Sequence, residues 1–87
     1  MDMKGEVTMA KNFFVCRAVN RADGTTSAPV ESTETREQAE SLFYTRCSQA
    51  VAGVASGDEL TDCVIMFDAF GFIIDNKGWS ANENTND

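Results

Sequence analysis

Eighty-seven residues, 43% of them apolar, make room for one small domain with a modest core. Fourteen acids against seven bases give a formal charge of −7, and the bases Lys4, Lys11, Arg17, Arg21, Arg36, Arg46 and Lys77 are scattered. No basic stripe follows a phosphate backbone, which argues against direct nucleic-acid binding, and no apolar run approaches the roughly 18 residues of a membrane-crossing helix.

The first eight residues show no periodicity, and Met9-Ala10-Lys11-Asn12 reads as a bacterial start. Lys4 to Met9 back-translates into a purine-rich, ribosome-binding-like stretch ahead of an AUG. Residues 1–10 are therefore expected to be a disordered leader, with Met9 the natural first residue. No basic-then-apolar signal opens the chain, so a cytoplasmic location in a bacterial host is expected. Phe13 to Val19 is a strand by composition. Asn20 to Gly24 is turn chemistry, with Gly24 free to take positive φ. A second strand is expected over Thr25 to Ser32. Pro29 lacks an N–H for the ladder and makes it an edge. Glu31 and Glu34 would discourage pairing with foreign strands.

Thr35-Arg36-Glu37-Gln38 matches a capping box, and Glu37 suits the positive end of a helix. The helix is expected from Arg36 to about Gly53, with Ala39, Leu42, Phe43, Cys47, Ala50 and Val54 in one stripe. Arg46 falls inside that stripe. Either its stem is buried and its guanidinium reaches past the helix end, or it pairs with Glu59 or Asp62. Thr61 to Phe67 is the third strand, Asp68 to Gly71 a hairpin turn with Gly71 left-handed, and Phe72 to Asp75 the fourth strand. Asn76-Lys77-Gly78 gives a second turn signal before Trp79. Residues 80–87 are polar and patternless, an expected disordered tail, leaving 11–79 as the domain.

Strand, strand, helix, strand, strand makes an α+β two-layer sandwich: an antiparallel four-stranded sheet with one helix on one face. The first and third strands suit the centre. The run Cys63-Val-Ile-Met-Phe-Asp-Ala-Phe-Gly-Phe-Ile-Ile74 does not alternate, so hydrocarbon lies on both faces while one helix can cover only one. Another copy of the chain is the expected second cover, most simply as a two-fold dimer. Phe14, Cys16, Ala18, Val64, Met66 and Ile73 are assigned to one face, and Phe13, Val15, Val19, Ile65, Phe67, Phe72 and Ile74 to the other. Periodicity does not say which face meets the helix. The candidate interface residues are Phe14, Ala18, Tyr44, Val64, Met66, Phe70, Ile73 and Trp79. Trp79 could instead fold over the sheet end, and Phe70 could cover the helix terminus.

Catalytic signals are sparse. With no histidine, the usual base for an activated nucleophile is missing. Asp62, Asp68 and Asp75 fall near one hairpin, but Asp68 and Asp75 read as turn and strand-end residues. Gly-rich phosphate loops and calcium-loop spacing do not occur. Cys16, Cys47 and Cys63 form no C-x-x-C pair and read as reduced thiols packed as small hydrophobes. Glu31, Glu34, Glu37 and Glu40 recur every third residue, a solvated acidic face or a mimic of DNA charge. No catalytic, cofactor or metal residue is assigned, and a non-enzyme is expected.

The segments F-F-V-C-R-A-V, D-G-T-T-S-A-P-V, T-R-E-Q-A-E-S-L-F-Y and D-N-K-G-W resemble, over about Lys11 to Trp79, short proteins encoded in phage and prophage genomes of gut bacteria. The resemblance implies a phage accessory protein that assembles with itself, with the virion or with a host protein. It brings no activity or site residues. The expected function is self-association and protein binding. The alternatives are a counter-defence protein binding a host factor or nucleotide signal, and a capsid or tail accessory.

Overall fold

A computed structural model describes residues 12–81, so the expected leader and all but the first two residues of the expected tail lie outside the described residues. The elements run β1 (Phe13–Arg21), β2 (Thr26–Ser27), β3 (Val30–Thr33), α1 (Arg36–Ser56), β4 (Glu59–Asp68) and β5 (Ile73–Ser80). The sheet is antiparallel, with β2 and β3 in turn flanking β1, then β4, then β5. α1 packs on one face, which gives an open α+β two-layer sandwich. No helix among the described residues is long and apolar enough to cross a membrane.

Pro29 splits the expected second strand in two, so the sheet has five strand segments rather than four. Its carbonyl still accepts from Arg17 N at 3.2 Å, and the edge stays attached to β1. The expected central strands are central. The expected turn at Asn76-Lys77-Gly78 is not formed. These residues pair with Ile65, Val64 and Cys63, because β4 offers a full-length ladder that outweighs local turn preference. A bulge between Met66 and Phe67 sets Phe67 opposite Ile73 and Met66 opposite Asp75. The extra residue Ile74 packs against the core.

The capping box forms as read. Thr35 Oγ1 accepts from Gln38 N at 3.1 Å, and Gln38 Oε1 accepts from Thr35 N at 3.3 Å. α1 runs three residues past Gly53 and ends at Gly57, whose φ of 88° closes the helix in the left-handed region. Ala39, Phe43, Cys47, Ala50 and Val54 are buried along the expected stripe, with Leu42 half-buried at its border. Beneath them lie Val15, Val64 and Met66, fringed by Phe13, Ile74 and Trp79.

The β1–β4 register decides the faces. Phe14 opposes Phe67, Val15 opposes Met66, Cys16 opposes Ile65 and Ala18 opposes Cys63. Val64 and Met66 therefore share a face with Val15, under the helix, and not with Phe14, Cys16 and Ala18. That corrects the phase expected for β4. Side chains in a strand alternate with period two, so a one-residue choice moves the whole set. As interface candidates, Val64 and Met66 are overturned: they are 0% and 2% exposed, in the core.

Candidate interface: the uncovered sheet face

The face turned away from α1 is built from cross-strand rows. One row is Phe14, Phe67 and Ile73, the next Cys16, Ile65 and Asn76, the third Ala18, Cys63 and Gly78. Within the sheet, neighbours leave Phe14, Cys16, Ala18, Cys63, Ile65 and Phe67 half-buried. Val30 and Ile73 at the margins are 54% and 60% exposed. Among the described residues nothing lies across these rows, because α1 and its core contacts are on the other side. The Phe14 and Phe67 rings stack with centroids 5.4 Å apart and planes at 20°.

Among the described residues no charged side chain belongs to this face. Arg17 and Arg21 take the other parity of β1. Asp62 and Asp68 take the other parity of β4, and Asp75 and Lys77 pair with Met66 and Val64 on the helix side. Glu31 opposes Val15, also on the helix side. The charged side chains of β1, β3, β4 and β5 are thus sorted onto the helix side.

The remaining expected interface residues scatter. Phe70, 85% exposed, stands at the β4–β5 turn and does not cover the helix terminus. The turn is stiff: Asp68 Oδ1 accepts from Phe70 N at 2.9 Å and Phe72 N at 3.0 Å, and Gly71 has φ 88°. Tyr44 is on the outer side of α1, its ring edge-on to Phe43 at 5.3 Å, and so belongs to a different surface. Trp79 is half-buried against the core fringe, closing the end of the sandwich on the helix side. Only Phe14, Ala18 and Ile73 of the expected set lie together on the uncovered rows. Cys16, Cys63, Ile65, Phe67 and Val30 complete that surface and were not among the expected contacts. The signal that could have found them is electrostatic: Arg17 needs an acid on its own face, and Asp62 supplies it only in the observed phase.

Between the layers, Arg17 is the centre of a buried ion cluster. Its Nε donates to Asp62 Oδ2 at 2.9 Å and its Nη2 to Glu59 Oε2 at 2.8 Å. Gln49 Oε1 accepts from Arg17 Nη1 at 3.4 Å. Asp62 is 1% exposed, and its Oδ1 and Glu59 Oε1 are buried without a hydrogen-bond donor. Burial, then the neighbouring Asp62, pushes the Glu59 carboxyl above the usual glutamate range, against the pull of Arg17. The Glu59 carboxylate lies against Gly53 of α1, where a Cβ would overlap it. Arg46 pairs with neither Glu59 nor Asp62. It forks onto Glu31, with Nε and Nη2 each 2.7 Å from a carboxylate oxygen, and ties α1 to β3. That hydrogen-bonded pair holds Glu31 below its ordinary range.

These groups brace the two layers, and Arg17, Glu31, Arg46 and Gln49 line an open depression of about 460 Å³ with Pro29. Asp68 caps the hairpin, Asp75 accepts from Asn76 N at 2.8 Å, and Asp62 is locked to Arg17. Glu31 and Glu40 of the acidic series are bound by Arg46 and Arg36. Cys47 is in the core, while Cys16 and Cys63 are free thiols on the uncovered face. Burial, and then Cys63, pushes the Cys16 thiol up, which disfavours the nucleophilic thiolate. Among the described residues no cluster of three or more histidine, cysteine or acidic side chains is placed to hold a metal ion. Compared with protein-family models, with curated proteins and with solved structures, the chain gives no match.

Proposed function

We propose that this protein is a small non-enzymatic accessory protein of a phage or bacterium, that it acts by protein binding through the uncovered sheet face, and that its first partner is a second copy of itself. The observation that carries the reading is the charge-free apolar surface of Phe14, Cys16, Ala18, Cys63, Ile65 and Phe67 on a chain of net charge −7. Two such chains repel through most of their surfaces. A neutral face meets its own image with no like charges opposed, so it is the surface on which self-pairing costs least.

Size supports the same reading. Four strands about 4.8 Å apart, each about seven residues long at about 3.3 Å per residue, give a flat footprint of roughly 450 Å² per protomer. Doubled, and increased by side-chain relief, that reaches the ~1,000 Å² a specific pair needs. A closed two-fold pair would form a four-layer sandwich with both sheets inside and both helices outside.

Light scattering tests this at roughly 100 µM protein, above the micromolar Kd of a minimal interface. The expected mass is two chains of 9.5 kDa each. Ile65→Lys, which puts a cation in the middle row, is expected to give one chain with unchanged helical circular dichroism. A wild-type mass of one chain at that concentration refutes the proposal.

A further inference from the structure

The uncovered face has relief. Along one row, Phe14, Phe67 and Ile73 bring three large side chains side by side, two of them stacked. Four residues along β1, about 13 Å away, the row Ala18, Cys63 and Gly78 brings together three of the smallest. An open depression of about 660 Å³ lies over this second row, lined by Thr26, Ala28, Thr61 and Ser80 and by Asp62, whose carboxylate is turned to Arg17 on the helix side. Cys16 and Ile65 stand midway.

The geometry points to a two-fold pairing in which the Phe14–Phe67–Ile73 ridge of each copy seats in the Ala18–Cys63–Gly78 trough of the other; this rests on the reading above that the face receives a second copy. The axis lies in the interface and runs across the strands along the middle row. Rotation about it reverses strand direction, so Phe14 comes over Ala18, Phe67 over Cys63 and Ile73 over Gly78 of the mate. The sheets then align within about 30°, the angle that their twist gives to face-to-face packing. A benzene-sized ring needs a cavity of about 150 Å³, so two rings fit the depression with space for the isoleucine.

Gly78 is the independent indication. A Cβ there would meet Cys63 Cβ at 3.6 Å, ordinary contact, and the backbone is not left-handed. Glycine in a strand interior weakens the strand, and nothing among the described residues of one protomer requires it here. Its missing side chain matters to whatever enters the trough.

Gly78→Val separates this arrangement from the broader reading. Valine favours the strand and adds apolar surface, so an unspecific greasy contact would hold or tighten. Ridge-in-trough seating is overpacked at two symmetric sites, and the dimer Kd should rise at least about 10-fold. Adding Ile73→Ala, which shortens the ridge facing residue 78, should recover most of that loss. Circular dichroism and urea unfolding confirm that both variants fold. A one-chain wild type overturns the pairing itself. A two-chain wild type that Gly78→Val leaves unchanged overturns only the seating, and the trough then faces something other than the mate's ridge.

Discussion

Gly53→Ala inverts a general rule. Alanine in place of a helical glycine normally stabilises by about 0.5–1 kcal/mol. Here the new Cβ would overlap the Glu59 carboxyl carbon and both of its oxygens. That carboxylate is held by Arg17 Nη2 at 2.8 Å in a side chain only 11% exposed. Moving it aside forfeits a charge-assisted hydrogen bond of about 1.5–3 kcal/mol and crowds the layer junction by about 1–3 kcal/mol. Partial relaxation and the helix gain offset part of this, leaving a net loss of about 2 kcal/mol. For a domain of this size the melting temperature falls by about 8–16 °C. Urea unfolding followed by circular dichroism, at one protein concentration, measures it. A double-mutant cycle isolates the cause: with Glu59→Ala already in place, Gly53→Ala should stabilise by about 0.5–1 kcal/mol. If Gly53→Ala stabilises the otherwise native chain, or the two changes simply add, the packing of Glu59 against α1 is refuted.

Two further outcomes concern the ion pairs between the layers. Glu59 sits above its ordinary value of 4.5, so the folded state holds its proton more tightly. Its contribution to stability is full below 4.5 and is lost as pH rises through the raised folded value. Glu31 is shifted the other way. Its contribution is present above 4.5 and is lost as pH falls through the lowered folded value. The urea midpoint should therefore rise on acidification towards 4.5 and fall beyond it, and Glu59→Gln should flatten the first limb while leaving the second. A first limb unchanged in that variant assigns the titration elsewhere. Arg17→Met leaves two buried carboxylates with no cation and should cost about 3–5 kcal/mol, read as unfolded circular dichroism near pH 7 with partial recovery at mildly acidic pH. A fully folded variant at neutral pH would show that the cluster does not depend on Arg17.

Local chemistry was legible because it is settled by neighbours in sequence. Thr35 and Gln38 cap each other across one turn, Gly24 and Gly71 occupy left-handed turn positions, and Pro29 marks an edge. The existence of two apolar faces was legible from the absence of alternation in β4. Its phase was not, for the same reason: a strand that is greasy on both sides gives no signal for which residues point inward. Asn76, Lys77 and Gly78 carry turn preferences that a distant partner overrode. Between Gly53 and Gly57, only the φ of 88° at Gly57 picks out the helix end. The acid that answers Arg46 lies 15 residues away on β3, where spacing along the helix offers no guide.

The two central strands are neighbours in the sheet but not in the chain. β1 joins β4 from Phe13 opposite Asp68 to Arg21 opposite Glu59, with the whole of α1 strung between them. A growing polypeptide cannot close this seam until residue 68 has left the ribosome tunnel, and until then β1 has only the short Pro29-broken segments for company. Until then the nascent chain carries an unmated, water-averse ribbon, a hazard that slow long-range closure imposes on any sheet wired in this order.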